Sequence, residues 1–366
     1  MLAELACRGY AGSSRIFDRA SKFADNARFR WVGPVTAMDV LSDVLRGVRL
    51  TGAVFFDVEA HAPWVGVTPN SDVYASLMPE AEHVICFHVL MSGSGWVELA
   101  DGSAPAVHIS AGDVVVIPKG DAHFASSAPG LRGEPDLAAY HLPAGPLPLP
   151  SVLNQTAGST DISHFVCGYL GCDSRPFNPL LEGLPRLFSA RASTAIQAWL
   201  SLLLRTAVAE TNDDGAGREI MLAKLAELIF VDVLRKYVRE LPDDSRGWFS
   251  GLRDRHIGHA LRLIHGRSAE DWTLETLARE VGLSRSAFAE RFSSYVGLPA
   301  IEYLGRWRMQ LAANLLNQRM DIAETAFQVG YNSEAAFNRV FKRYVGVPPG
   351  AWRRGKGVER PKSDPS

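Results

Sequence analysis

Two stretches in the C-terminal third of the chain carry polar side chains of the kinds that bind DNA. On a helix predicted from residue 285, the outward-facing residues are Arg285, Ser286, Ala289 and Glu290. On a second helix, predicted to start near Ser333, they are Glu334, Ala335, Asn338, Arg339 and Lys342. In the major groove, Arg forms paired hydrogen bonds with guanine and Asn with adenine. These residue types suggest sequence-specific recognition of double-stranded DNA.

The residues before the first of these helices have the pattern of a helix-turn-helix, in which a short helix and a tight turn position the helix that reads the groove. Apolar or small residues recur there at helical spacing: Leu274, Leu277, Ala278 and Val281. Gly282 tolerates the positive φ that ends a helix, and Ser284 can cap the next helix. Within the recognition helix, we expect Phe288, Phe292 and Tyr295 to be buried.

The same pattern returns 48 residues later, and 49 residues later beyond the turn. The repeated residues are Ile322, Ala326, Val329, Gly330, Phe337, Phe341, Tyr344, Gly346 and Pro348. Residues 300–317 lie between the two units and have helical periodicity. A helix of that length spans roughly 25 Å, enough to hold two recognition helices about one DNA turn, ~34 Å, apart. The alternative is a plain helical bundle whose small residues only mark helix ends.

Composition describes an ordinary globular protein with an uneven charge distribution. Of its 366 residues, 47% are hydrophobic and 21% charged. Residues 251–356 contain 16 Lys and Arg against 10 Asp and Glu, whereas the whole chain carries 38 against 40. A basic C-terminal part fits a partner that is a polyanion. The four scattered cysteines do not suggest a disulfide scaffold, and without a signal-peptide pattern we expect a cytoplasmic location.

A family signature is present in the second unit. It consists of Val329-Gly330-Tyr331-Asn332-Ser333, then Phe337, Phe341-Lys342, Gly346 and Pro348-Pro349. These residues resemble the signature of the AraC/XylS transcription regulators, and the resemblance covers about residues 248–353. One departure is Pro349-Gly350-Ala351-Trp352-Arg353, where many members have a Tyr and another Arg. The resemblance implies an all-α DNA-binding domain joined to a sensory or dimerisation domain.

The resemblance also implies roles and partners. By position, the base-reading residues are Arg285, Ser286, Glu290, Asn338 and Arg339, and the phosphate contacts are Ser284, Ser333, Lys342 and Arg343. Expected partners are promoter DNA, RNA polymerase, a second copy of the chain in a homodimer, and an unknown small-molecule or redox effector.

The N-terminal half is predicted to be a β-sandwich or barrel, because short apolar runs alternate with turn signals over about residues 50–140. Gly112, Pro118, Gly120 and His123 follow the spacing of the second cupin motif. The stretch therefore resembles the cupin-type sensor of some AraC-family regulators. In enzymatic cupins the His of this motif is a metal ligand, and a first motif supplies His-x-His followed by Glu. Here that place reads Cys86-Phe87-His88, and no Glu follows within five residues.

Three interpretations of the barrel remain open. Cys86 and His88 share one face of a strand and with His123 could form a three-ligand Zn or Fe site; otherwise they are core residues. Cys167 and Cys172 could form a redox pair or be inert thiols. A small-molecule pocket could be lined by Trp64, Phe87, His88, Trp96, His123 and Phe124, or these residues could be ordinary core.

The sequence thus predicts a multidomain α+β protein. The expected parts are a poorly defined extension (1–37), a cupin-like sensor (38–160), a helical connector or dimerisation region (161–247), a double helix-turn-helix domain (248–356) and a disordered tail (357–366). Met38 is a candidate natural start. The preferred function is a non-enzymatic transcription regulator. The alternatives are a metal-dependent cupin enzyme with a DNA-binding domain and a constitutive architectural DNA binder.

Overall fold

The computed structural model describes residues 39–50, 55–74, 77–137, 149–154, 160–199, 202 and 217–355. The predicted extension at 1–37, the candidate start Met38 and the tail at 357–366 lie outside the described residues. Among the residues that are described, no helix combines the length and apolar character needed to cross a membrane.

Two β-sheets form the sensor domain. Its strands are β1 (Phe55–His61), β2 (Val65–Thr68), β3 (His83–Ser92), β4 (Ser94–Leu99), β5 (Val107–Ser110), β6 (Asp113–Ile117), β7 (His123–Ser126), β8 (Leu149–Leu153), β9 (Ile162–Cys172) and β10 (Phe188–Arg191). The larger sheet has the order β10-β6-β3-β9-β1-β8, and the smaller has β2-β7-β4-β5. The predicted cupin-like barrel is confirmed, with β3 and β9 paired antiparallel at the centre of the larger sheet.

Alternation along the central strands separates two buried faces. Cys86 and Leu90 of β3 point into the barrel and join a core that includes Trp64, Phe165 and Tyr169. Phe87 lies between Cys86 and His88 in sequence, so its side chain is on the opposite face of the sheet. The helix of residues 218–240 packs on that side of the large sheet. Because both faces of β3 are buried, its sequence is a nearly continuous apolar run.

The predicted helical connector beginning at residue 161 is wrong in its first part. Residues 162–172 form the strand that pairs with both β1 and β3, and residues 188–191 pair with β6. Residues 186–210 contain no Pro or Gly, a composition that predicts a helix but is equally compatible with an edge strand. Within that range, residues 194–199 are helical, while 200–201 and 203–210 lie outside the described residues.

Further helices surround the barrel: α1 (Val40–Gly47), α2 (Ser71–Tyr74), α3 (Pro179–Gly183) and α4 (Arg218–Glu240). Helix α4 packs against β10 and β9, with Tyr237 against the ring of Phe188 at 4.6 Å. Its buried side chains form one broad stripe that includes Ile229 and Val233, whereas Leu228 is 47% exposed. Among the described side chains of this helix, one side therefore packs against the barrel and the other faces solvent.

The C-terminal domain is helical, as predicted. Its helices are α5 (Trp248–Arg253), α6 (Arg255–Gly266), α7 (Leu274–Glu280), α8 (Arg285–Val296), α9 (Ala300–Asn317), α10 (Ile322–Gln328), α11 (Glu334–Val345) and α12 (Pro349–Arg353). Helices α7–α8 and α10–α11 form the two helix-turn-helix units, and α9 is the predicted spacer. Gly282 and Gly330 have φ values of 71° and 84° in the two turns, in the region that favours glycine.

Candidate functional site

The recognition helices α8 and α11 present the predicted reading residues to solvent. Arg285, Ser286 and Glu290 are exposed on α8. The exposed residues on α11 are Glu334, Ala335, Arg339, Lys342 and Arg343. Two predicted positions are less open: Ala289 and Asn338 are both partly buried. The amide of Asn338 donates to Glu334 Oε1 at 3.4 Å, so Asn338 must give up this bond to read a base.

The predicted phosphate contacts at Ser284 and Ser333 are N-cap residues of the recognition helices. Each hydroxyl oxygen accepts a hydrogen bond, at 3.3 Å, from the backbone N–H of Ala287 or Ala336. The cap uses the oxygen as an acceptor, which leaves the hydroxyl hydrogen able to donate. Both residues therefore combine helix capping with a position at a helix N-terminus, where phosphate is favoured.

Aromatic packing fixes each recognition helix. Phe288 and Phe292 of α8 and Phe337 and Phe341 of α11 are completely buried, as predicted. Tyr295, which was predicted to be buried, is only partly buried, and the guanidinium of Arg246 lies 4.9 Å from its ring centroid. No sequence pattern pointed to Arg246, which lies in the segment before α5.

In the barrel, Cys86, His88 and His123 bring their donor atoms together. Cys86 Sγ is 3.8 Å from His88 Nε2 and 3.9 Å from His123 Nε2. The two Nε2 atoms are 2.7 Å apart. All three residues are buried, and their potential ligand atoms lie within 4.8 Å of one another. The structure thus unites the three residues that the sequence offered as metal ligands.

Other groups orient both imidazoles. His123 Nδ1 is 2.8 Å from the carbonyl oxygen of Asp121, which can only accept, so Nδ1 donates and the Nε2 lone pair points into the cluster. His88 Nδ1 is 2.8 Å from Cys167 Sγ. Outer partners of this kind are what hold histidine ligands in metal sites. No sequence signal connected Cys167 with His88; their contact follows from the pairing of β3 with β9.

Burial keeps this cluster uncharged. Removal from water lowers the pKa of His123 to about 4. Burial, and the repulsion that two protonated rings would have at this distance from His123, hold the pKa of His88 well below its ordinary value. Burial also raises the pKa of the Cys86 thiol well above its usual range. The Nε2 lone pair of His123 is available to a metal. His88 Nε2 donates its hydrogen to that lone pair at 2.7 Å, so binding a metal requires the His88 proton to move to Nδ1 and Cys86 to lose its proton.

A cavity of about 250 Å³ lies beside this cluster and is lined by His88 and Cys167. Most of its remaining wall is apolar and includes Phe56, Phe165 and Tyr169. Glu134 and Asp136 contribute acidic groups to the lining.

The predicted effector pocket is only partly right. Trp64, His88 and His123 belong to the barrel interior, although only His88 lines the cavity. The other three side chains point elsewhere because of strand alternation. Phe87 packs against Gly168 on the far side of the large sheet. Trp96 contacts His108 at 4.8 Å, and Phe124 lies under Arg132 at 4.7 Å.

The predicted redox pair of Cys167 and Cys172 is contradicted by the structure. Both lie on β9, and five residues of strand separate them by roughly 16 Å. An odd separation also places their side chains on opposite faces. Burial raises the pKa of each thiol, which disfavours the reactive thiolate.

Comparison with known proteins agrees with both halves of this architecture. Residues 39–239 match a family model described as Cupin, and residues 277–355 match one described as a helix-turn-helix domain. The chain belongs to the AraC-type transcription regulators with an N-terminal cupin domain. This AraC-type regulator is 28% identical over 321 residues to the HTH-type transcriptional regulator AlkR of Acinetobacter baylyi, covering 87% of this chain and 99% of AlkR.

Other relatives are similar along most of their length. An AraC-like transcription regulator of Streptomyces lividans is 28% identical over 320 residues, covering 87% of this chain and 98% of that protein. The HTH-type transcriptional regulator MtrA of Neisseria gonorrhoeae is 26% identical over 326 residues, covering 87% of this chain and 99% of MtrA. The protein is thus a DNA-binding transcription regulator with a cupin-like sensory domain.

Proposed function

We propose that this AraC-type regulator binds promoter DNA through α8 and α11 and that occupancy of the Cys86-His88-His123 cluster adjusts its affinity for that DNA. The convergence of three donor atoms at the barrel interior is the observation that carries the proposal. A thiolate with two imidazoles suits Zn²⁺, or Fe²⁺ as the second choice. When bound, the ion would supply a positive charge inside an otherwise uncharged core.

The residues fit a metal in three respects and depart from the cupin pattern in one. The donor atoms converge, both imidazoles are oriented by outer partners, and the adjoining cavity can accommodate a further ligand. The departure is the Glu of the first cupin motif, whose absence leaves a three-ligand set. Small molecules that enter the cavity are the second class of occupant.

A binding experiment tests the metal site directly. We expect the purified chain to bind one Zn²⁺ in competition with a chelator. Cys86→Ala and His123→Gln should weaken binding at least about tenfold, the loss typical even of outer partners. Cys172→Ala, at another buried cysteine, is the matched control and should bind as tightly as wild type. No Zn²⁺ uptake by the wild-type chain would reject the site.

The regulatory part needs a second measurement. The affinity of the full chain for a duplex recovered by in vitro selection is measured with and without one equivalent of Zn²⁺. Coupling of typical strength predicts a change of about 5- to 150-fold. The change should disappear in Cys86→Ala and persist in Cys172→Ala. Zn²⁺ binding without any change in DNA affinity would contradict regulation while leaving the metal site intact.

We also propose that the regulator is a homodimer that contacts itself through α4. Ile220, Met221 and Leu228 are 68%, 55% and 47% exposed on this helix, and apolar faces of this kind favour association. Sedimentation of Leu228→Ser should show a weaker dimer than that of wild type. Glu240→Ser, at an exposed residue at the C-terminal end of the same helix and away from that apolar face, is the control. Equal dimerisation of the two variants would place the interface elsewhere.

RNA polymerase and a cytoplasmic site of action complete the proposal, because a promoter-bound regulator acts where transcription occurs. In vitro transcription from a selected promoter should change when the regulator is added. Support for a non-enzymatic role comes from the relatives, which are described as transcription regulators. Incubation with candidate substrates should therefore consume none of them, whether or not Zn²⁺ is present.

A further inference from the structure

Gln310, on the spacer helix α9, has a fully buried side chain that bonds to the sensor domain. Its Nε2 donates to the carbonyl oxygen of Gly47 at 3.0 Å. Its Oε1 accepts from the backbone N–H of Phe177 at 3.0 Å. Both partners belong to the N-terminal half of the chain, 263 and 133 residues away in sequence. The side-chain amide of Gln310 thus connects two segments of the sensor domain to the helix that lies between the two recognition helices.

Neighbouring contacts strengthen this connection at Gly47. The side-chain amide of Asn314, one turn further along α9, donates to the same carbonyl at 2.7 Å. The Trp307 indole lies so close to Gly47 that a Cβ there would be 2.6 Å from one of its ring carbons. Helix α1 also packs on α6 and α9. The C-terminal end of α1 is therefore seated on the DNA-binding domain.

The same segment is anchored to the barrel. The carbonyl of Val48 accepts from the backbone N–H of Asp173 at 2.8 Å. Arg49 forms two hydrogen bonds with the Asp173 carboxylate, at 2.7 and 2.9 Å. Asp173 directly follows β9, and β9 carries Cys167 in the wall of the barrel cavity. A continuous path of strand, ion pair and amide therefore joins the barrel to α9.

Burial makes the amide hard to replace. Gln310 has no exposed surface, so water cannot take over its hydrogen bonds when the side chain is shortened or made apolar. The backbone N–H of Phe177 would then lose its partner, which is costly for a buried donor. The Gly47 carbonyl would keep the bond from Asn314. Rearrangement at this junction is consequently opposed by a specific, identifiable set of bonds.

We propose that the α9 surface formed by Trp307, Gln310 and Asn314 is the docking surface for the α1 terminus, and that Gln310 is the positioning residue that couples the stability of the barrel to DNA binding. In this proposal the folded barrel favours DNA binding through the junction. Because coupling between two sites is reciprocal, DNA bound by α8 and α11 then stabilises the barrel. The proposal needs no metal, so failure of the Zn²⁺ experiment leaves it standing.

Hydrogen exchange of the full chain tests the coupling. The probe is a duplex obtained by in vitro selection, and the readout is the exchange rate of β9 amides with and without this DNA. In the wild-type chain we expect DNA to slow β9 exchange at least about fivefold, the lower end of ordinary coupling. In Gln310→Met, which removes the amide at similar size, we expect a ratio near one with DNA affinity retained.

Two further variants keep the result interpretable. Gln318→Met, at an exposed residue that follows α9, should preserve the wild-type ratio. Asn314→Ala removes only one of the two donors to Gly47 and should give an intermediate ratio, which also serves if Gln310→Met fails to fold. A wild-type ratio near one overturns the proposal. So does a full wild-type ratio in Gln310→Met, or in Asn314→Ala where that variant is the one that folds.

Discussion

A buried histidine should make the DNA-binding domain sensitive to acid. His265 lies in the core of that domain, where its Nε2 accepts from the hydroxyl of Tyr303 at 2.9 Å. The Tyr303 oxygen in turn accepts from the Trp248 indole N–H at 2.9 Å, so the hydroxyl hydrogen is directed to His265. Burial lowers the pKa of His265 to about 3, and the folded protein therefore holds this ring neutral.

The sign and size of the effect follow from linkage. Below the unfolded pKa of 6.5, the unfolded chain binds a proton at this residue and the folded chain does not. The free energy of unfolding is unaffected well above that pH and falls by about 1.4 kcal/mol for each pH unit below it, until the folded pKa is reached. Between pH 7.5 and 5.5, His265 should account for a loss of about 1.4 kcal/mol.

Urea unfolding of the wild-type chain and of His265→Gln at these two pH values measures this loss. Gln cannot titrate, yet its carbonyl oxygen can still accept from Tyr303. The variant has a different baseline stability because packing changes, so only the difference between the two pH values is compared. Wild type should lose about 1.4 kcal/mol more than the variant. Equal losses in the two proteins would refute the reasoning, because they would mean that His265 has the same pKa in the folded and unfolded states.

Three shorter predictions concern packing, DNA reading and capping. Gly168→Ala should destabilise the barrel by about 1–3 kcal/mol in urea unfolding, because a Cβ would lie 2.2 Å from the Phe87 ring. Arg285→Ala should relax selectivity at one base pair by about 1–3 kcal/mol, whereas Lys342→Ala should weaken binding to all sequences and reduce its salt dependence; selection and salt titrations distinguish them. Asp254→Ala should cost about 1 kcal/mol in thermal unfolding, since its carboxylate caps α6.

Local sequence signals were sufficient for the helical domain. The duplicated pattern of small, apolar and glycine residues predicted α8, α9 and α11 to within a residue of their observed starts. The reason is that a helix-turn-helix is built from contacts close in sequence, and its caps and turns depend on single residues such as Ser284 and Gly282. The buried phenylalanines followed from the same periodicity.

The strands and the directions of their side chains were harder to predict from the sequence. The direction of a side chain depends on strand register, and register depends on partners that are distant in sequence. A run such as 85–90 is buried on both faces, so its pattern could not show which of Cys86 and Phe87 points into the barrel. The location of β9 and β10 was missed for the same reason: they join the sheet through pairing with strands far away in sequence.

The sequence by itself determined that this chain carries two recognition helices joined by the spacer helix α9, and which residue types could form a metal site in the barrel. Only the tertiary structure decided that Cys86, His88 and His123 lie together. It also decided that Cys167 orients His88 and that Gln310 connects the sensor domain to the spacer helix α9. Each of these contacts connects residues brought together by sheet pairing or domain packing. Such proximity leaves no periodicity in the chain, so no local pattern could have revealed it.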